Sequence, residues 1–490
     1  MALDLALSDL SHLDRVRRVL ADNDPNKQFA ELGMAEVHIS DDVLSLLCDV
    51  IDRHVVKTNR VAGPATQVRM IVDPILIWRD GADLKGRVEE ILTERYSVKR
   101  IMLDDGHPVL HADEHVLDAA TQAAQGGDVV VSVGGGTITD VAKIAAERNG
   151  IPVHIVVQTA ASVDGYTDNF AVVLQNGVKK TLLSRWPEAV LTDTKVVANA
   201  PHYLNASGFG ELLSMYSAPG DWFLAARMGM DSKYSPVLLE MLDLCGSGIE
   251  EWSEGIGVSE PAACASLATA LAMRGIVTGV GGTTASLSGM EHLISHMLDM
   301  ANGEMHELTG LHGAQVGVGS VIRAAAWEVF CERVAEERLD VNTMFPAIDD
   351  LRSRVVASFD WLDSTGRIAE ECWGRYRSKL SLWTQNRDRV AAALVDWDSL
   401  VIEHDRLVFG SHKIARYLHR AGAPMRFTDL DPAPTADRLH WVVANCQYMR
   451  ERFTVADLLT LAGWWDEAGV ARVLVRVEEA CAAAEVARDG

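Results

Sequence analysis

A bare apolar run, VVVSV (129–133), ends in three consecutive glycines, Gly134, Gly135 and Gly136, and passes straight into an amphipathic stretch, TITDVAKIAA (137–146). Few architectures accept this. A strand without polar alternation has both faces covered, which is the condition of a parallel sheet flanked by helices. Glycines between it and a helix let the backbone turn tightly and approach a ligand with no Cβ in the way. The helix then presents free N–H groups and the positive end of its dipole, so the pattern predicts a phosphate-binding turn. The spacing is not G-x-G-x-x-G and no G-K-[ST] follows, so the standard dinucleotide fingerprint and the Walker loop are both absent.

The flanking sequence agrees. β-rich runs at AEVHI (36–40), VRMIV (68–72), KRIML (99–103) and PVHIVV (152–157) alternate with helical patterns, which predicts βαβ units. FAVVLQNGVKKTLL (170–183) carries Asn-Gly between two apolar runs, a hairpin signal. Beyond residue 196 helical periodicity dominates to the end of the chain. The expected organisation is a polar helical extension (1–30), an α/β dinucleotide-binding domain (31–195) and an all-α domain (196–490), divided within Leu191–Ala200.

Composition narrows the partners. There are 69 acidic against 45 basic residues, a formal charge of −24. Such a field repels phosphate backbones and anionic lipid surfaces, so neither nucleic acid nor a membrane is expected as partner. An anionic substrate needs a local basic pocket. Seven scattered cysteines, odd in number and without a C-x-x-C pair, read as reduced intracellular thiols. The first residues lack a positive region before an apolar core, so no signal peptide is expected. The apolar stretch Ala262–Val280 is broken by Arg274 and reads as a buried helix instead of a membrane span. The expected location is the cytoplasm.

Three segments of the helical half offer metal ligands: GFGELLS (208–214), SGMEHLISHM (288–297) and GLHGAQVGVG (310–319). His292 and His296 are four apart and share a helix face. His312 precedes a glycine, as at a helix start. Two histidines and a carboxylate suit Zn²⁺ or another divalent metal and leave a position open for a substrate oxygen.

GGGTITDVAK (134–143) resembles the GGGxxxD(x)AK signature of the iron-containing alcohol dehydrogenase and dehydroquinate synthase superfamily. QTAASVDGYTDNFAV (158–172) is similar to a segment of its glycerol-1-phosphate dehydrogenase branch, and the similarity extends through residues 179–201 and 451–469. The resemblance implies a dehydroquinate synthase-like fold and a metal-dependent oxidoreductase using NAD or NADP. It implies cofactor contacts from Gly134, Gly135, Gly136, Thr137, Asp140, Thr159 and Ser162, and catalytic roles for Asp164, facing the substrate, and His296, in proton handling. Glu211, His292 and His312 fall on the metal-binding motifs. Here the sequence departs, since Glu211 stands where the family carries Asp. Met215 stands where the long-chain iron enzymes carry an additional His, which favours a three-ligand zinc site.

The implied substrate is dihydroxyacetone phosphate, reduced to sn-glycerol 1-phosphate, and a homo-oligomer is compatible with the resemblance. A phosphate needs cationic donors. Lys179, Lys180 and Arg185 are nearest, and read either as those donors or as solvated charges at a hairpin end. Gln158, Asp168 and Asn169 depart from the family near the expected substrate pocket. Asp104 and Asp105 read either as partners of the ribose 2′-OH, favouring NAD over NADP, or as loop caps. Two alternatives stand beside this reading: a dehydroquinate synthase-type NAD/zinc lyase, and a non-catalytic relative with a degraded metal site.

Overall fold

The computed structural model describes residues 10–107, 109–175, 178–337 and 339–486, with the side chains of residues 178 and 179 outside that description. The chain divides into two compact units, one of Met1–Gly208 with Glu240–Gly282, the other of Phe209–Leu239 with Thr283–Gly490.

The first unit opens with α1 (Asp14–Asp22), β1 (Glu36–Ser40), α2 (Leu47–Lys57), β2 (Gln67–Val72) and a two-residue pair, β3 (Trp78–Arg79) and β4 (Ala82–Asp83). It continues through α3 (Leu84–Thr93), β5 (Ser97–Met102), α4 (Glu114–Ala124), β6 (Val129–Gly134), α5 (Gly136–Arg148) and β7 (Val153–Gln158). The hairpin β8 (Phe170–Gln175) and β9 (Val178–Leu183), then β10 (Ala189–Asp193) and α6 (Thr194–Asn199), complete the run. Six strands form one parallel sheet in the order β1-β10-β7-β6-β2-β5. β6 is interior, and its alternate residues serve two cores. Val129, Val131 and Val133 join Val68, Met70 and Val72 of β2 under α2 and α3. Val130 and Ile71 enter the opposite core with α4 and α5. That is why the run shows no polar alternation. Side chains on both faces leave water, each contributing about 1.5–3 kcal/mol of burial.

The strands expected from sequence are present. β10 was not among them, although it lies between β1 and β7. AVLTD runs directly into α6, so no turn signal closes it off as a strand. The Asn-Gly expected at the hairpin turn lies outside the described residues, while β8 and β9 on either side pair antiparallel. α1 is part of this unit. Leu13, Val16 and Leu20 are buried, and Val37 N donates to Leu10 O at 3.1 Å.

α7 (His202–Leu213) carries the chain from the first unit into the second, followed by α8 (Ala218–Arg227). α9 (Pro236–Cys245) returns it, and α10 (Ile249–Gly257) and α11 (Pro261–Gly281) belong to the first unit. The single expected boundary within Leu191–Ala200 is thus replaced by division at Gly208–Phe209 and a later return, because α11 packs on α6 and β1. α11 is long and apolar enough to cross a membrane by length and composition, but 83% of its most apolar window is buried inside the protein.

The second unit contains α12 (Met290–Glu304), α13 (His312–Glu336), α14 (Arg352–Ala357), α15 (Arg367–Gln385), α16 (Arg387–Val395) and α17 (Trp397–Asp405). α18 (Ser411–Arg420), α19 (Ala436–Asn445), α20 (Val455–Leu461) and α21 (Glu467–Val486) follow. Among the described residues no strand lies beyond Asp193. A buried charge node ties the helices together. Asp221 on α8 accepts from Arg323 Nε and Nη2 of α13 at 3.1 and 2.9 Å, from Met290 N at the start of α12 at 2.9 Å, and from Val455 N of α20 at 3.1 Å. Burying a carboxylate is costly unless it is paired and hydrogen-bonded, and Asp221 is both. The node therefore fixes the start of α12.

Candidate functional site

In the first unit the glycine turn has an unexpected logic. None of its three glycines has a positive φ, so a left-handed turn is not what requires them. Close packing requires two. A Cβ on Gly134 would lie 2.9 Å from Ile138, and one on Gly136 would lie 2.9 Å from Val163 Cγ2. Gly135 differs, since its Cβ would meet nothing nearer than the Tyr166 hydroxyl at 4.0 Å. Gly135, Gly136 and Thr137 stay partly exposed while the rest of 129–146 is buried. The N-cap of α5 is Gly135, which has no side chain to cap the helix, and the helix start is the kind of place where backbone N–H groups meet an anion. Thr159 N donates to Gly134 O at 3.3 Å, and Ser162 Oγ lies 3.5 Å from the Tyr166 hydroxyl, which brings both expected residues to this turn.

Asp140 and Lys143, the other signature residues, hold the loop behind the turn. Asp140 Oδ2 accepts from Val172 N at 3.0 Å. Lys143 Nζ donates to Gly165 O, Asp168 Oδ1 and Phe170 O at 2.6, 2.7 and 2.8 Å. Burial pushes the Asp140 carboxyl up to about 7 against the opposing pull of Lys143. Asp168, expected near the substrate, is thereby committed to Lys143. Gln158 is likewise engaged, donating to Ala160 O at 3.0 Å and accepting from Thr192 Oγ1 at 2.7 Å.

Asp164 is 3.2 Å from both Nε and Nη2 of Arg274, an arginine at the buried heart of α11. This partner was not foreseen. A lone arginine inside an apolar helix was its available signal, because a buried charge calls for an opposite one. Of the expected phosphate donors, Lys180 is exposed and the Lys179 side chain lies outside the described residues. Arg185 is neither a solvated charge nor open to a phosphate. It grips Glu188 through Nη2 at 2.7 and 2.9 Å and donates to the carbonyls of Ile151 and Pro152. Asp104 and Asp105 act as loop caps. Asp104 accepts from Gly106 N at 2.8 Å, and Asp105 accepts from His107 N at 3.0 Å and His111 N at 2.9 Å.

In the second unit Glu211, His292 and His312 converge, with ligand-type atoms all within 4.8 Å of one another. His292 Nε2 is 3.3 Å from Glu211 Oε1, and His312 Nε2 is 3.7 Å from Glu211 Oε2. Glycine makes this possible, since a Cβ on Gly210 would lie 2.4 Å from Gly313 O. Its absence lets α7 lie against the start of α13, bringing Glu211 to His312. His312 is the first residue of α13, as its sequence suggested.

Both rings are oriented from behind. His292 Nδ1 donates to Glu291 Oε1 at 3.0 Å. The Ser295 hydroxyl donates its one proton to Gln315 Oε1 at 2.7 Å and so accepts from His312 Nδ1 at 2.9 Å. Each tautomer then leaves Nε2 as the ligand atom, the arrangement that outer partners give to metal-binding histidines. Burial opposes protonation of His292, but the Glu211 and Glu291 carboxylates outweigh it and hold its pKa up at about 9. This donor set fits a divalent ion of the zinc type. His296 lies beside it, with ring centroids 5.3 Å from His312 and 6.1 Å from His292. Glu291, Ser295 and Asp299 were not singled out from sequence. Only the acid preceding His292 hinted at the first.

Residues 64–201 match the family described as iron-containing alcohol dehydrogenase. Glycerol-1-phosphate dehydrogenase [NAD(P)+] of Halalkalibacterium halodurans is 32% identical over 283 residues, 57% of this chain and 70% of that protein. The enzyme of the same name from Thermococcus kodakarensis is 30% identical over 281 residues, 57% of this chain and 78% of that protein. This chain spans 56% of the length of the Geobacillus thermodenitrificans relative, at 31% identity over 227 residues, 46% of this chain. Among solved structures, glycerol dehydrogenase from Schizosaccharomyces pombe superposes with a TM-score of 0.54 at 14% identity, covering 92% of this chain and 89% of that one. Maleylacetate reductase from Agrobacterium tumefaciens gives 0.54 at 15%, covering 93% and 98%. At those identities the superpositions establish the fold, and the sequence relatives establish the lineage. The chain belongs to the glycerol-1-phosphate dehydrogenase branch of the iron-containing alcohol dehydrogenase family.

Proposed function

We propose that this protein is a cytoplasmic, metal-dependent NAD(P)-linked oxidoreductase that interconverts a small phosphorylated ketone and its secondary alcohol, dihydroxyacetone phosphate and sn-glycerol 1-phosphate. The observation that carries the reading is the convergence of Glu211, His292 and His312 with both imidazole Nδ1 atoms tied back. A divalent ion held by these residues would supply Lewis acidity at the substrate oxygen, while nicotinamide would carry the hydride. Gly134, Gly135, Gly136 and Thr137, at the start of α5, would bind the cofactor pyrophosphate through backbone N–H groups. Thr159 and Ser162 would line that turn, and Asp140 would act from behind it by fixing β8. Asp164, anchored by Arg274, would orient a substrate hydroxyl. His296 would take up and return the hydroxyl proton at a ring nitrogen, the task histidine most often performs in general acid–base catalysis.

The test is spectrophotometric. Zinc-loaded protein given dihydroxyacetone phosphate should consume NADH or NADPH, and chelation should stop it. Metal-loaded protein that consumes neither with any small keto-phosphate would sink the proposal. Phosphate release without net change in NAD(P)H would point to lyase chemistry instead.

A further inference from the structure

We infer that the metal pocket holds two overlapping ligand sets, Glu211–His292–His312 and His296–Asp299–His312, and that the second retains a divalent ion when Glu211 is lost. The inference rests on the metal reading proposed above. It starts from the stripe on α12. Residues 292, 296 and 299 follow i, i+4, i+7 spacing and project from one helix face. His312 sits midway along that stripe, its ring centroid 5.2 Å from His292 and 5.3 Å from His296.

The donor atoms of His296, Asp299 and His312 lie within 4.8 Å of one another, the same closeness as in the first set. Tetrahedral coordination at zinc–ligand lengths spaces donors about 3.4 Å apart, so modest side-chain movement closes either set. Each has two imidazoles and one buried carboxylate, Glu211 being 3% and Asp299 7% exposed. Both therefore suit the same borderline divalent ions, Zn²⁺ or Co²⁺. His312 has only Nε2 to give, because Nδ1 is bonded to Ser295. Two ions cannot then share it through separate nitrogens. The geometry describes one ion with two positions, both on His312 Nε2 and so no more than about 4 Å apart.

The experiment uses full-length protein stripped with a chelator, reloaded with Co²⁺, and followed by visible d–d absorption and elemental analysis. Wild type and Asp299→Asn should each take up one equivalent with the same spectrum. Glu211→Ala should still take up one equivalent, with a changed spectrum and affinity weaker by about ten- to a hundredfold, the scale on which single changes around a site act. Glu211→Ala/Asp299→Asn should bind none. Should Glu211→Ala misfold by circular dichroism, Glu211→Gln, which keeps the volume, replaces it. A Glu211 variant that is folded and empty overturns the inference while wild-type binding leaves the metal reading standing. So does a double variant that binds as the single one does. Wild type that takes up no Co²⁺ removes both readings together.

Discussion

The glycine turn of the first unit and the histidine cluster of the second are built in opposite ways. The turn is made of backbone and of missing side chains, within four adjacent residues, 134–137. Its selectivity comes from what a Cβ would strike at Gly134 and Gly136 and from what it would not strike at Gly135. The cluster is made of side chains 81 and 20 positions apart (292 − 211 and 312 − 292). Each is aimed by a neighbour that does not itself face the ligand atoms of the set: Glu291 behind His292, Ser295 behind His312, and Gly210 beneath Glu211. A site of the first kind tolerates change around it and fails by obstruction. A site of the second kind weakens with loss of a member or of its support.

The largest effect should come from the cluster. His312→Ala removes the ligand common to both sets and should lower zinc affinity and turnover by more than about a hundredfold, exceeding the usual cost of losing a mere supporting partner. His292→Ala should lose turnover to the same extent but lower zinc affinity by only about ten- to a hundredfold, because the second set remains. Elemental analysis and metal titration beside a steady-state assay read both, and wild-type zinc affinity in either variant contradicts the assignment. His296→Ala should separate the two quantities, keeping metal while kcat falls by about a hundredfold or more, as loss of a proton-transfer group does.

Obstruction is the next test. Gly135→Val should abolish NAD(P) binding by calorimetry while stability changes by no more than about 1 kcal/mol, since a residue at this cap position meets little. Gly134→Val should instead destabilise the fold by about 1–3 kcal/mol through overpacking against Ile138. Equal behaviour of the two would erase the distinction drawn between them.

Support is weaker than ligation, and Glu291→Gln measures by how much. It keeps a carbonyl for His292 Nδ1 and removes the charge, so zinc affinity should fall by about ten- to a hundredfold with stoichiometry unchanged. An unaltered affinity would reduce Glu291 to a core residue.

The smallest effect concerns the loop behind the glycine turn. Asp140 has a folded pKa of about 7 against 3.8 for the free side chain. The folded state therefore binds this proton more tightly, and the group's contribution disfavours folding increasingly as pH rises from 4 to 7. Asp140→Asn, which retains an oxygen for Val172 N, should flatten that part of the Tm–pH curve. Parallel curves for the two proteins would refute the shift.

Much of the first unit was legible because its determinants are local. A strand buried on both faces must be apolar throughout, and a turn against a helix must be glycine where Ile138 and Val163 press on it. The same locality exposed the helix faces that carry His292 and His296. β10 escaped because nothing local distinguishes AVLTD from a loop entering a helix; its partners β1 and β7 lie far along the chain. Arg185 was misplaced for the same reason, since Glu188 and the carbonyls of 151 and 152 claim it only once the sheet is formed.

The sequence by itself determined the parallel α/β unit, the helical remainder, the glycine turn and the residue types able to bind a metal. Those follow from periodicity, from steric allowance and from donor chemistry, which act over a few residues. Only the tertiary structure decided that α11 returns to the first unit, that Arg274 answers Asp164, and that Glu291 and Ser295 set the two tautomers. It alone set His312 equally near His292 and His296. Those outcomes depend on burial, where a charge or ring nitrogen must find its partner among whichever groups packing brings within about 3 Å.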